Sequence, residues 1–466
     1  MSRRILRIEL RRSTAVWVAL LLAATGGFML RALNPPYENW MQVVTVQRDM
    51  MQLTWPLALA AGAWQAYRER RSRVEELVGT TPRQRWQRVQ PIAAAMALAA
   101  AVGYVLMLAG GLANIKDVGG YFSPGAVPII AIGALAIVGA VWLGLAIGTL
   151  LPSPLTAPLL VVAGFAGLAV LPQMLVEANR EPGTYLLLPF LRGPRDGGFF
   201  PQVLSTGANL SQLLWLAAVA ATGLTLFAAA RTRTRVAAMI PAVAGAVAIL
   251  PVLPNQVAEA WLPDRGALKL ICTEQRPQVC VPRISRHELD DLQEPGRRAL
   301  AVLAAKLPNP PTRVVGTLDD APGRPAVTQP ADTLPAPVGV AMGTPGSGID
   351  MPVSASEGLL WALLDGAGTR PCPDLEGTPE DPNEEYYLAR RAAAAWLIGQ
   401  VPPEEQQLPG GQAKSSGDGT VTQVLDALHA LPAEEQRTRV AAFREVERTC
   451  AAGDRLEILT GTPGPG

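Results

Sequence analysis

From Ser13 to Ala258 the chain alternates long apolar stretches with short polar connections, and an ordinary polar sequence begins only beyond them. Seven stretches stand out: Ser13–Leu30, Met50–Tyr67, Val89–Ala113, Ala126–Leu150, Thr156–Val176, Leu210–Ala230 and Val236–Ala258. About 20 apolar residues in helical form cross a bilayer core, and several of these runs contain no Asp, Glu, Lys or Arg. Hydrocarbon offers no partner to a bare peptide group, so such runs are expected to be helical. The pattern therefore predicts an α-helical polytopic membrane protein with six spans over residues 13–235 and a seventh over 236–258. Pro241, Pro251 and Pro254 interrupt that last stretch, so it is expected to be bent or shortened. If it crosses, everything after it lies on the far side of the membrane. If it is re-entrant, the tail stays on the near side.

Beyond residue 258 the periodicity changes. Leu268, Leu270, Val279 and Val281 alternate as in a strand or short hairpin over Ala267–Val281. His287–Leu307 carries Leu289, Leu292, Ala299, Val302 and Leu303 at helical spacing, with Pro295 expected to start or break the helix. Leu318–Asp350 is rich in Pro, Gly and Thr and reads as a linker or an extended segment. Glu384–Gln400, Val421–Ala430 and Pro432–Ala451 read as helices, and Pro402–Gly419 as a loop. Residues 259–466 thus form a mixed α/β, loop-rich domain.

Charge orients the spans. The 466-residue chain has a net charge of +1 and only 17% charged residues, below the roughly 25% of soluble proteins. Near-neutrality argues against general nucleic-acid binding. Arginines crowd three segments: 3–12 before the first span, the loop 68–88 after the second, and Arg231, Arg233 and Arg235 between the sixth and seventh. If all the spans cross, these segments share one face, which the positive-inside rule makes cytoplasmic. The opposite connections hold fewer cations, among them Arg31, Arg48 and Lys116. The spans themselves show no buried ionisable side chain, which gives no support to a carrier driven through intramembrane carboxylates. Met1–Arg12 and the run after it imitate a secretory leader, but no small-residue cleavage site follows Leu30. Residues 1–12 are read as a cytoplasmic amphipathic helix.

All four cysteines, Cys272, Cys280, Cys372 and Cys450, fall in the polar tail. An even number confined to one domain points to disulfides and an oxidising compartment. Three connectivities are open, of which Cys272–Cys280 with Cys372–Cys450 is favoured by the short first loop. The spacings lack the paired C-x-x-C of a zinc site. His287 lacks a second histidine four residues on, Ser354 and Ser356 lie in no G-x-S-x-G, and the acidic run Asp374–Glu385 fits no EF-hand. Gly410-Gly-Gln-Ala-Lys-Ser-Ser fails the spacing of a phosphate-binding loop. No catalytic residue, metal ligand or cofactor site is assigned, and the chain is not expected to be an enzyme by itself.

Two further patterns bear on function. Ala140, Gly144 and Gly148 form a small-residue stripe that permits close helix approach, for dimerisation or for packing within one bundle. The loop 68–88 leaves a span, runs through Arg73, Glu75, Glu76 and Leu77, turns at Gly79-Thr80-Thr81-Pro82, and returns past Arg83. Glycine ends a helix, and Thr81 with Pro82 begins the next. The two glutamates in a cationic loop suit docking to another protein.

This order of features resembles the membrane subunit of an ABC-2-type ABC transporter. The resemblance covers roughly Met1–Arg235. It rests on the basic amphipathic start, the coupling-helix-like loop, the break Leu151-Pro-Ser-Pro-Leu-Thr156, and the external segment 177–207 with Tyr185–Leu191 and Phe199-Phe200. The tail is similar to that of actinobacterial permease-like proteins with a V-C-V segment, here Val279-Cys280-Val281. The resemblance implies a six-helix bundle in the bacterial plasma membrane, followed by a seventh span and an extracytoplasmic domain. It implies a permease working as a homodimer or heterodimer, and export rather than uptake. ATP-Mg would be hydrolysed on a separate cytoplasmic subunit docked at Arg73, Glu75, Glu76, Leu77, Gly79, Thr80, Pro82 and Arg83. The alternative is a membrane-anchored binding or sensory protein whose external domain takes a ligand or partner.

Overall fold

The computed structural model describes residues 10, 13–32, 37, 39–71, 85–115, 120–175, 183–191, 201–318, 328–338, 356–375, 377–378, 381–400 and 418–461. It divides into two units, Met1–Arg195 with Gln202–Asp264, and Asp196–Pro201 with Arg265–Gly466. The first unit therefore runs a few residues past the expected boundary at 258. The reason is a short antiparallel pair, β1 (Gln202–Leu204) with β2 (Trp261–Pro263), which holds the end of the apolar half to itself.

The first unit is a helix bundle. In chain order it contains α1 (Ala15–Ala32), α2 (Trp40–Asp49), α3 (Met51–Arg71), α4 (Arg85–Leu112), α5 (Ala126–Leu150), α6 (Thr156–Leu175), α7 (Thr206–Ala228), α8 (Thr232–Ala237) and α9 (Ile240–Ile249). Hydrogen bonds between distant residues fix how the helices run. At one end Thr14 donates through Oγ1 to Gln65 (2.7 Å), joining the start of α1 to the last turns of α3. At the other, Asn114 Nδ2 donates to the Arg31 carbonyl (2.9 Å), joining the end of α1 to the end of α4. Arg68, Arg70, Arg71, Arg231, Arg233 and Arg235 belong to the first of these ends.

Among the described residues five helices are long and apolar enough to cross a membrane: Ala15–Ala32, Trp86–Leu112, Ala126–Leu150, Thr206–Ala228 and Thr232–Ile249. Two of the seven expected runs fall outside this set. α3 has the length, at 21 residues, but carries Gln52, Gln65 and an Arg-rich last turn. The fifth run is the 20-residue helix α6, which carries Pro172 near its end. The seventh run ends at Ile249 instead of Ala258, since Pro251 and Pro254 follow and cannot continue the helical ladder. Side chains facing outward from the bundle are strongly apolar, as at Trp17, Phe28, Leu159, Val162 and Val243. Apolar exteriors on long helices fit hydrocarbon surroundings and would be an aggregation hazard in water. The unit is suited to membrane insertion.

The small-residue stripe packs inside this bundle. Ala140 and Gly144 are buried on α5 against α3, and a Cβ at Gly144 would collide with the Leu59 carbonyl. Across the same seam, Gly62 offers no side chain to Val141. The stripe is thus consumed by packing within one chain, and is not free for a second copy. Trp142 donates to the Ala93 carbonyl of α4 (3.0 Å).

The second unit has its own core of Leu300, Leu303, Val314, Leu334, Trp396 and Phe443. Its sheet runs β3 (Leu270–Cys272), β4 (Val279–Pro282), β5 (Arg313–Leu318), β6 (Thr333–Val338), with β3/β4 antiparallel and the rest parallel. The helix α10 (Leu289–Lys306) makes the crossover between the parallel strands β4 and β5. Pro295 lies within that unbroken helix, contrary to the expected break. β6 gives part of this stretch the extended form: Thr-Leu-Pro-Ala-Pro-Val pairs in register with β5. Its two prolines are tolerated because β6 is an edge strand. Four helices follow the sheet: α11 (Ser356–Leu364), α12 (Glu384–Ile398), α13 (Asp418–His429) and α14 (Ala433–Thr449), then a last turn-and-a-half, α15 (Arg455–Thr460).

Candidate functional site

Hydropathy assigns Arg48 to an outer connection, and α2 overturns that reading. Asn39 caps α2 by accepting the Gln42 N–H at 3.0 Å. This start sets the helical phase, so that Met41, Val44 and Arg48 fall on one buried stripe, with Val43 and Gln47 beside it. Arg48 and Gln47 are fully buried, as are Tyr104 of α4 and Gln212 of α7. Gln47 Nε2 donates to the Tyr104 carbonyl at 2.6 Å, and Arg48 Nη2 donates to Gln212 Oε1 at 3.3 Å. Gly133 of α5 makes room for the Tyr104 ring, since a Cβ there would collide with the hydroxyl.

Much of this cluster is left unsatisfied. Arg48 Nε and Nη1, the Tyr104 hydroxyl, Gln212 Nε2 and Gln47 Oε1 have no hydrogen-bond partner among the described residues. Nor does Arg48 form an ion pair with any described carboxylate. Each buried donor left unmade costs about 1–3 kcal/mol, and a buried charge without a partner costs more. Gln212 follows the start of α7 at Thr206 by less than two turns, so the cation meets α7 near that end of the bundle. An ionisable side chain buried in such a bundle is a functional-site candidate by default.

Next to it the bundle is incompletely filled. A cavity of about 210 Å³ lies between α3, α5, α7 and the segment 183–191, lined by Trp55, Gly139, Leu143, Leu187, Trp215 and Leu216, among others. Leu216 is one helical turn beyond Gln212, and both are buried, so arginine and cavity share a face of α7. The segment over Gly183–Leu187 is a short 3-10 helix, with Tyr185, Leu186, Phe190 and Leu191 buried. A cationic, donor-rich cluster thus lies one turn along α7 from an apolar, aromatic-walled space.

A second buried arginine shows what a satisfied network looks like. In the second unit Arg390 Nε donates to Asp365 (2.8 Å), Nη1 to Glu447 (2.6 Å) and Nη2 to the Thr369 carbonyl (2.8 Å). Tyr386 donates to Glu447 at 2.9 Å and accepts the Cys372 N–H at 2.6 Å, while Arg455 Nε meets the other Glu447 oxygen at 2.8 Å. Burial works against the Arg390 charge, but Asp365, Tyr386 and Glu447 outweigh it, so its proton is held more tightly than in a free guanidinium. Burial raises the Tyr386 hydroxyl. Gly366, at φ +59°, leaves the space that the guanidinium fills. This cluster ties helices together, and its charges are matched.

Comparison with protein-family models, with curated proteins and with solved structures finds no match to this chain.

The residues expected from sequence fare unequally. Arg73, Glu75, Glu76, Leu77, Gly79, Thr80, Pro82 and Arg83 lie outside the described residues, as do residues 1–9 and the Gly410 segment. The flanking helices α3 and α4 deliver the loop between Arg71 and Arg85. Disulfides join Cys272 to Cys280 and Cys372 to Cys450. His287 lies 3.7 Å from Glu288, and the described residues contain no group of three or more metal-ligating side chains. Arg48 is the residue that sequence reasoning missed. The signal was present: Met41, Val44 and Arg48 share helical spacing, which marks the arginine as inward-facing once residues 40–49 are read as helix.

Proposed function

We propose that the chain is the membrane-spanning permease subunit of an ABC transporter, moving substrate across the bacterial plasma membrane, in the direction of export. Two permease chains, alike or related, form the path, and a separate cytoplasmic ATPase supplies the energy. The observation that carries this reading is the asymmetry of the bundle. One end gathers the arginines of α3 and α8, while toward the other a buried, under-satisfied cation lies one helical turn along α7 from a cavity. A polytopic anchor has no use for the second feature. The break between α5 and α6 at Leu151–Ser153 and the buried 3-10 turn at Gly183–Leu187 are in keeping with the same family resemblance. The end that bears the arginines is cytoplasmic in this proposal, and the disulfide-bonded second unit is extracytoplasmic.

The test is purification of the tagged full chain in mild detergent, with mass spectrometry of what accompanies it. A stoichiometric P-loop ATPase is expected, lost in the double variant Glu75→Lys/Glu76→Lys while the chain still inserts. Recovery of the chain alone, or with partners of its second unit only, would replace the permease by an anchored binding or sensory protein.

A further inference from the structure

We propose that Arg48 is the headgroup site for an anionic amphiphile, whose apolar body occupies the neighbouring cavity. The inference deepens the permease reading by naming its substrate class, and rests on that reading only for the claim that the ligand is moved. Three observations converge on it. Arg48 keeps two guanidinium nitrogens, Nε and Nη1, without a partner in a fully buried position, and the Tyr104 hydroxyl and Gln212 Nε2 stand beside it equally unmatched. These four are donors, and Gln47 Oε1 is the one unmatched acceptor of the cluster. A carboxylate or phosphate oxygen accepts from several such groups at once, and a guanidinium presents its fork to either. No described carboxylate neutralises the charge, so the missing acceptor is anionic rather than merely polar.

The second observation is what adjoins the donors. The cavity begins one helical turn along α7 and is walled by Trp55, Leu143, Leu187, Trp215 and Leu216. A free inorganic anion would leave this apolar space unused. A neutral hydrocarbon would fill it and leave Arg48 uncompensated. Only a molecule with both characters satisfies the whole site. The third observation is the contrast with Arg390, whose nitrogens are all engaged by Asp365, Glu447 and Thr369. At Arg390 the chain provides an acceptor for each nitrogen, although Nη2 of Arg455 in the same network has none. At Arg48 it provides donors instead. A purely structural role for Arg48 predicts that an uncharged side chain loses stability, whereas a residue kept for a ligand predicts no loss, or a gain, in the unliganded protein.

The experiment uses the full chain in phosphatidylcholine nanodiscs and four probes: dodecyl phosphate, dodecanoate, dodecanol and inorganic phosphate, with binding read by calorimetry. Dodecyl phosphate or dodecanoate is expected to bind at least about tenfold more tightly than dodecanol or inorganic phosphate. The better of the two identifies the headgroup. Arg48→Gln is expected to lower that affinity at least about tenfold, with Arg48→Lys between it and the parent. Val219→Phe, which narrows the cavity from α7 without touching Arg48, is expected to weaken the amphiphile and leave the oligomeric profile on gel filtration unchanged. Equal binding of dodecanol and dodecyl phosphate would overturn the proposal, as would unaltered binding to Arg48→Gln. Inorganic phosphate binding as well as dodecyl phosphate, or an unaffected Val219→Phe, would overturn the amphiphile assignment. Should Arg48→Gln not survive purification, the probe series and Val219→Phe decide alone. No ATPase enters these measurements. Amphiphile binding without a co-purifying ATPase would sustain this site and remove the transporter, and the reverse result would do the opposite.

Discussion

Glu447 is fully buried and accepts from Arg390, Tyr386 and Arg455, so three side chains depend on one carboxylate. Without Arg390 the buried Glu447 keeps Arg455 but loses one of its two cations, and breaking a buried pair costs about 3–5 kcal/mol. Arg390→Ala is therefore expected to destabilise the second unit by about that amount in a denaturant titration; a loss below 1 kcal/mol would mean that water reaches Glu447. Tyr386 adds a pH dependence whose sign follows from its shift. Burial raises the hydroxyl above its ordinary value of 10.0, so the folded state holds the proton more tightly than the unfolded chain. Its contribution is complete below pH 10 and is lost as the pH climbs past that value toward the folded pKa. Thermal unfolding should thus show an alkaline decline that Tyr386→Phe flattens. Arg48 differs from both residues in having donors to spare, and stability measurements on it should move in the opposite direction to those on Arg390. An Arg48→Met variant as stable as the parent, or more so, fits a residue kept for a ligand rather than for the fold.

Elements show which features of the sequence could be read and which could not. α3 and α5 approach closely because Gly62 and Gly144 bring backbone to backbone. Gly144→Leu must push the Leu59 carbonyl aside, and overpacking of this kind costs about 1–3 kcal/mol. The variant should aggregate on gel filtration at temperatures where the parent stays monodisperse, whereas Gly167→Leu, with open space around it, should not. The stripe itself was legible from its spacing. Its partner was not, because small residues at intervals of four say that a close neighbour exists without saying which. The long helices were legible for the same reason that they are stable in lipid: unbroken apolar composition leaves a single solution. β6 was hidden by Pro335 and Pro337, which imitate a linker and are permitted only because the strand lies at the sheet edge. Arg48 was hidden because hydropathy averages over a window, while the phase of α2 is set by one cap, Asn39. The disulfide Cys372–Cys450 spans 78 residues between α11 and the end of α14. Its position was legible only by elimination. Closing a loop of that length restrains the unfolded chain, and Cys372→Ser/Cys450→Ser should cost about 2–5 kcal/mol in the oxidised protein.

For the whole molecule, composition and covalent chemistry must agree on which side each part occupies. The connections at one end of the bundle carry Arg68, Arg70, Arg71, Arg231, Arg233 and Arg235, and all four cysteines are paired in the other unit. Lysine and arginine in short connections hold a membrane protein with that face toward the cytoplasm, and thiols of cytosolic proteins are kept reduced. The two arguments are independent, since one concerns insertion and the other redox poise. Both are satisfied together only if an odd number of crossings separates the first span's beginning from residue 265. The segment α8–α9 decides that parity: it is 18 residues from Thr232 to Ile249, just long enough to cross when its exposed valines and Ile240 face lipid. Protease added to intact spheroplasts is therefore expected to degrade the second unit and to spare an epitope fused before Met1. Opening the membrane should expose both. The alkylation pattern must concur, with Cys372 and Cys450 unreactive until reductant is added from outside. A second unit protected in intact spheroplasts, with free thiols on all four cysteines, would make α8–α9 re-entrant, and would move both the disulfides and the far-side domain out of this account.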